Sequence, residues 1–398
     1  MSAAASAVEA AREAAATAKA ALAGADPKLA IVFVSVSYDD ADAAARAVRG
    51  VVGDVQIIGG TSGACVVGSG RTASKGVSVV LLGGDDVEVE SRTAPIGSPS
   101  LVETVPAAER IAAAADLAAK RGLGHYTCLV FAPGIVVDGE ALVAAVRKGA
   151  GARARLAGAL TGDDLTLDRP QVLFGDELHR DKVVVTGVFT KAPIGIVARH
   201  GYAAVGPVRT VTRADGIHLL ELDDRPALDV WLEDARAAGA EPPSDPKALA
   251  LYLADYYELG LADGSTPPTT LAQDPRELIA RAPFEIREDG AIRLSGAIGE
   301  GTRVRVLHAS REDLLRASSE AATTAVERAG GAVVGALVLA CTGRLAALGG
   351  AFPEEPAGIA QNLGAPIGGA CVFGEIARNV RDHDAFFNTT VVIVAFGR

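Results

Sequence analysis

The chain has 398 residues, 49% of them hydrophobic, which is enough for a large core and, by length, two or three domains. Its 38 basic and 49 acidic side chains leave a net charge of −11, and that balance opposes binding to nucleic-acid phosphates. No apolar run is long enough to span a bilayer, so membrane insertion is not expected, and the widely spaced Cys65, Cys128, Cys341 and Cys371 lack zinc-ligand spacing and read as buried thiols of a reducing cytoplasm.

The Ala-rich N-terminus carries Glu9, Arg12, Glu13 and Lys19, which interrupt the apolar core that a signal peptide requires. It predicts a surface helix closed by Gly24 and Asp26-Pro27, so residues 1–27 form a helical lead-in. A strand over residues 29–36 follows, with Asp39 and Asp40 offered as caps for an Ala-rich helix up to Gly50. The strand Val55-Gln56-Ile57-Ile58 then ends in what reads as a glycine turn, Gly59-Gly60-Thr61, before strands over 76–82 and 87–92.

The same grammar returns in a helix over 107–121, a strand over 126–131, a helix over 138–148 and a strand over 154–160 with a turn at Gly158-Ala159-Leu160. Strands over 182–189 and 194–199 complete it. A third copy has a helix over 311–328, a strand over 333–340, a helical connection, a turn at Gly368-Gly369-Ala370 and a closing strand over 387–395. Between the second and third copies, residues 202–308 hold Trp231, a helix dense in Tyr252, Tyr256 and Tyr257, the linker Glu241-Pro242-Pro243, a Pro-rich loop at 264–268 and a hairpin around 284–294. The fold class expected is α/β with α+β character: mixed β-sheets flanked by helices, built from repeated helix-strand-helix-strand-hairpin units in two fused halves, 28–205 and 206–398.

Four short elements, in this order, resemble the FIST family over nearly the whole length. They are Gly59-Gly60-Thr61-Ser62-Gly63-Ala64, Ala297-Ile298-Gly299-Glu300-Gly301, Leu339-Ala340-Cys341-Thr342-Gly343-Arg344, and Gly369-Ala370-Cys371-Val372-Phe373-Gly374-Glu375-Ile376. The resemblance implies an N-terminal and a C-terminal FIST domain, and an intracellular sensor of small ligands that acts in signal transduction. Family members fused to output domains are common. No kinase, GTPase or F-box segment stands here, so a free-standing module is expected, with a small-molecule ligand, a signalling protein of unknown identity as its partner, and room for a homo-oligomer.

The candidate ligand-binding residues are Gly60, Thr61, Ser62, Cys341, Thr342, Gly343, Arg344, Glu375, Asn388 and Thr389. Thr61 and Ser62 stand beside the amides of Gly60 and Gly63, a nest that favours anions, although the absence of a lysine rules out a nucleotide P-loop. Arg344 follows a strand and a Cys-Thr-Gly turn, where it either grips a carboxylate or phosphate or pairs with Glu354, Glu355 or Glu375. Glu375 either receives a ligand amine or partners Arg344; lining one pocket, the two would suit a zwitterion such as an amino acid, which the resemblance also implies. Asn388 and Thr389 either contact ligand or cap a turn.

The leading expectation is therefore a non-catalytic sensor of an amino acid or related polar metabolite, with no metal and no resident cofactor. One alternative is a haem-binding gas sensor, since some FIST proteins bind haem and sense nitric oxide. Many members carry a His where this chain has Phe387, so that reading turns to His200 or His383 as axial ligand. The other is an enzyme with Cys341 or Cys371 as nucleophile, which requires a base beside the thiol.

Overall fold

In the computed structural model, residues 1–97, 101–262, 271–378 and 381–398 are described, so the expected loop at 264–268 lies outside the described residues. The first stretch runs α1 (Ala7–Ala21), β1 (Pro27–Val34), α2 (Ala44–Val52), β2 (Gln56–Thr61), a hairpin of β3 (Val66–Gly68) and β4 (Arg71–Ala73), then β5 (Val77–Gly83) and β6 (Val87–Pro95). The next follows the same order: α3 (Thr104–Lys120), β7 (His125–Pro133), α4 (Gly139–Ala150), β8 (Arg155–Thr161), a hairpin of β9 (Val172–Phe174) and β10 (Glu177–His179), then β11 (Lys182–Thr190) and β12 (Ile194–Arg199).

A sheet-rich region comes next, with β13 (Ala203–Ala204), β14 (Arg209–Asp215), β15 (His218–Leu222), β16 (Arg225–Pro226), α5 (Ala227–Ala237) and α6 (Pro246–Tyr256). It continues with β17 (Tyr257–Ala262), β18 (Leu278–Arg281), β19 (Pro283–Ile286), β20 (Ile292–Leu294) and β21 (Arg303–His308). The last stretch is α7 (Arg311–Arg328), β22 (Val333–Cys341), α8 (Thr342–Leu348), α9 (Glu354–Leu363), β23 (Ile367–Val372), a hairpin of β24 (Gly374–Arg378) and β25 (Asp384–Phe387), and β26 (Val391–Gly397).

These strands build three mixed sheets, ordered β10-β9-β2-β1-β5, β25-β24-β8-β7-β11-β6 and β12-β26-β22-β23-β3-β4, and a nine-stranded antiparallel sheet along β18-β17-β21-β14-β15-β20-β19. Each of the first three centres on one parallel pair: β1 with β2, β7 with β8, β22 with β23. Alternation along each strand divides the core. Leu29, Ile31 and Phe33, Leu129 and Phe131, and Leu337 and Leu339 point to a common centre, where the Phe33 and Phe131 rings meet edge to face at 5.7 Å. Ala30, Val32 and Val34 point outward to α1 and α2, Cys128 and Val130 to α3 and α4, Ala336 and Val338 to α7 and α9. With both faces covered, these strands read as unbroken apolar runs.

The three expected glycine turns are strand residues instead. Gly59, Gly158 and Gly369 lie inside β2, β8 and β23 with positive φ, opposite Val32, Val130 and Val338 in register. A β-carbon at any of the three would overlap the carbonyl oxygen of its valine partner. Glycine is needed there because two backbones approach each other, which a reading of glycine as punctuation misses.

The hairpins leave home. β3–β4 pairs with β23, β9–β10 with β2, and β24–β25 with β8, so each parallel pair is extended by a hairpin from a different stretch of chain. Two local expectations also change. Asp40 accepts hydrogen bonds from the Ala7 and Val8 amides at 2.9 and 3.2 Å, so it caps α1 rather than α2. The closing strand is broken at residues 388–390 into β25 and β26, with Thr389 in the left-handed region.

Candidate functional site

The strand ends expected to be open turns are a joint between sheets. The Gly63 amide donates to the Cys371 carbonyl at 2.6 Å, the Thr61 hydroxyl donates to the Gly162 carbonyl at 2.6 Å, and the Ser62 amide donates to the Val34 carbonyl at 3.0 Å. Gly60 pairs with Val172 inside the first sheet. Gly60, Thr61 and Ser62 are buried and their donors are engaged, so the nest of free amides is not formed. Thr342 belongs to the same joint, its hydroxyl donating to the Val372 carbonyl at 3.0 Å.

Arg344, fully buried in α8, spends its guanidinium within the protein. Its Nε donates to Glu355 at 2.9 Å, its Nη1 to the His200 and Thr389 carbonyls, and its Nη2 to the Leu314 carbonyl, to Ser318 and again to Glu355. The ion pair thus forms with Glu355 and not with Glu375. α9 brings Glu355 against α7 and α8, whereas Glu375 leaves on β24 toward the second sheet.

A different set of residues surrounds Glu375. The turn from β25 to β26 folds back so that the Thr390 amide reaches Glu375 at 3.4 Å, while Cys341, the last residue of β22, lies against the same carboxylate. Gly343 leaves room for Thr389, whose methyl would be 3.4 Å from a β-carbon there. Asn388 accepts from Arg281 Nη1 at 3.1 Å. Arg281, at the end of β18, is fully buried, bridges to Glu140 in the first turn of α4, and has its Nε turned to Gly296, where any side chain would collide with it. Glu258, on neighbouring β17, is fully buried beside Tyr202 and Thr389.

Among the described residues, both oxygens of Glu258, Oε1 of Glu375 and Nε of Arg281 are buried without a hydrogen-bond partner. Buried polar atoms are rarely left so. Burial pushes the Glu258 carboxyl up to about 8, against the pull of Thr389, Tyr202, Arg281 and Arg344. Burial also raises Glu375, and Glu258 adds to that; Cys341 is raised by burial and then by Glu375. Two buried carboxyls, the first disfavouring the charge of the second, therefore sit with a guanidinium at the crossing of the second, third and fourth sheets. This cluster joins Glu375, Cys341, Gly343, Asn388 and Thr389 of the expected set, whereas Gly60, Thr61, Ser62, Thr342 and Arg344 hold the scaffold around it.

Glu258, Arg281 and Glu140 escaped the sequence reading. Their signal was present: a glutamate within the apolar run Tyr257–Ala262 and an arginine closing Leu278–Arg281 are charges where a strand should be apolar. Two broad surface depressions, of about 670 and 550 Å³, lie elsewhere, and none of the ten expected residues lines either.

A family model of the FIST N domain matches residues 28–225 and one of the FIST C domain matches residues 227–378. The chain belongs to the FIST family. FIST domains are associated with signal-transduction sensing and small-ligand binding. No curated protein matches this FIST chain. The polar cluster draws on both matched parts, Glu140 from the first and Glu258, Arg281, Cys341 and Glu375 from the second. Among the described residues of this FIST protein, no helix is long and apolar enough to cross a membrane. His200, weighed as a haem ligand, has both ring nitrogens engaged: Nε2 with the Pro275 carbonyl and Nδ1 with the Tyr202 amide, each at 2.9 Å. Burial lowers its pKa to about 4 and keeps it neutral.

Proposed function

We propose that this FIST protein is a non-catalytic small-molecule sensor whose ligand carries a protonated amine, an amino acid or related polar metabolite. The observation that carries the reading is the pair of buried carboxyls, Glu258 and Glu375, whose neighbours leave both oxygens of the first and Oε1 of the second without a hydrogen bond of good geometry. An ammonium placed between them would supply the missing donors and the missing countercharge. A non-catalytic role is supported by the Cys341 thiol itself. Burial holds the Cys341 thiol protonated, and the Glu375 carboxyl beside it raises its pKa further, so no base serves it. Filling the cluster would tie β17 and β18 to β24 and the β25–β26 turn, a rearrangement that a signalling partner could read.

Thermal unfolding against a panel of amino acids and other amines tests this directly. A ligand at a hundred times its Kd adds about 2.7 kcal/mol of stability. The shift is expected for amine-bearing compounds and is expected to vanish in Glu258→Gln and Glu375→Gln variants. Silence across the panel, or equal shifts in both variants, overturns the reading.

A further inference from the structure

Cys65 immediately precedes β3 and Cys371 lies in β23, and these strands pair antiparallel with Val66 opposite Ala370. One step along, Cys371 stands opposite Cys65, its amide donating to the Cys65 carbonyl at 2.9 Å. Residues opposite in a hydrogen-bonded antiparallel pair point to the same face with Cα atoms about 5.5 Å apart, within the roughly 4.4–6.8 Å that a disulfide spans. Both thiols sit on the helix-covered face of the third sheet beside each other, the Cys65 thiol donating to the Val66 carbonyl at 3.4 Å. The two differ in access. Cys371 is 0% exposed and Cys65 is 5% exposed, and Cys65 lies against Thr72 and Ala73, which line the 670 Å³ surface depression together with Ser2, Glu13 and Arg71.

We propose that Cys65 and Cys371 are a redox pair, which hydrogen peroxide converts to an intramolecular disulfide and a cellular thiol reduces again. In the first step the Cys65 sulfur attacks the peroxide: an S–O bond forms, the O–O bond breaks, and water leaves, giving a sulfenic acid. In the second the Cys371 thiol attacks that sulfur: the S–S bond forms, the S–O bond breaks, and a second water leaves. Two thiols are oxidised by two electrons and one peroxide is reduced. The roles follow the environments. The Cys371 thiol, then the Ala73 amide and the Thr72 hydroxyl, hold the Cys65 thiol below its usual range against burial, whereas burial drives Cys371 up. Cys65 is thus the attacking thiol and Cys371 the resolving one. The bond would tie the β3–β4 hairpin of the FIST N domain to the FIST C strand that leads into Glu375.

The full-length native protein is treated with a slight excess of hydrogen peroxide, alkylated, digested without reduction and mapped by mass spectrometry. A linked pair of peptides containing Cys65 and Cys371, two hydrogens lighter than their sum and lost on treatment with dithiothreitol, is expected, with Cys128 and Cys341 recovered as thiols. In Cys371→Ser, oxidation is expected to stop at a Cys65 sulfenic acid that dimedone traps. Recovery of both cysteines as thiols, a link to Cys341 in place of Cys65, or over-oxidation of Cys65 with Cys371 still reduced overturns the assignment. The wild-type map decides even where the serine variant fails to fold.

Discussion

Arg344 shows how a residue with the right motif can serve the scaffold. Its guanidinium and the Glu355 carboxylate are both fully out of water, and the Ser318 hydroxyl bonds to both. Removing one partner leaves an uncompensated buried charge, which costs about 3–5 kcal/mol. Arg344→Ala is therefore expected to lower the urea-unfolding free energy by about that amount. A loss of ligand affinity with stability intact would instead place Arg344 in the ligand site. Glu258 makes the opposite prediction. Its folded pKa, about 8, lies above the value of 4.5 for a free glutamate, so between those values the folded chain holds a proton that the unfolded chain has released. The stability this group contributes is full below about pH 4.5 and is lost as the pH rises through about 8. Glu258→Gln cannot ionise, so the variant is expected to gain up to about 5 kcal/mol over the wild type at pH 9 and nothing near pH 4.5, measured as unfolding free energy across pH.

At the scale of elements, the parallel pairs depend on backbone contact that side chains would block. Gly158 opposite Val130 is the test position, since an added methyl overlaps a carbonyl oxygen that the sheet holds in place. Gly158→Ala is expected to cost about 3 kcal/mol by overpacking. Gly124→Ala, in open space just before β7, is expected to change unfolding free energy by a few tenths of a kcal/mol at most. Equal costs would show that the close approach is not what glycine provides. Helices were the most legible elements: the helix expected over 311–328 is α7, where the structure adds a capping box of Ser310 and Asp313, and that expected over 138–148 is α4, where the Asp138 carboxylate accepts from two first-turn amides. Asp40 was legible as a cap but not as the cap of α1, because its acceptors reach a helix that precedes it by a strand.

Over the whole molecule, the exchanged hairpins make the two FIST domains one folding unit. The third sheet takes β12, β3 and β4 from the matched FIST N region and β22 and β23 from the matched FIST C region, while β8 takes β24 from the latter. A fragment ending at residue 225 would expose the edges of β3, β8 and β12 at once. The full chain is expected to unfold in one transition by near- and far-ultraviolet circular dichroism, and the 1–225 fragment to show no cooperative transition. Two separated transitions, or a cooperative fragment, would contradict the interlocking.

Much of this was decided locally. Apolar runs such as residues 29–34 and 333–340, caps such as Ser310, and the ordered FIST elements around Gly59, Cys341 and Glu375 settle the kinds of element, their order and the family, because period and propensity act over a few residues. Which strand lies beside which was decided only in three dimensions. Nothing near Val66 announces Ala370 as its partner, and nothing near Arg344 chooses Glu355 over Glu375. Those choices come from filling one core and finding a partner for each buried donor and acceptor, an accounting that closes over the whole chain at once. Among the places where that accounting stays open, the cluster of Glu258, Arg281 and Glu375 gathers four such atoms in one site.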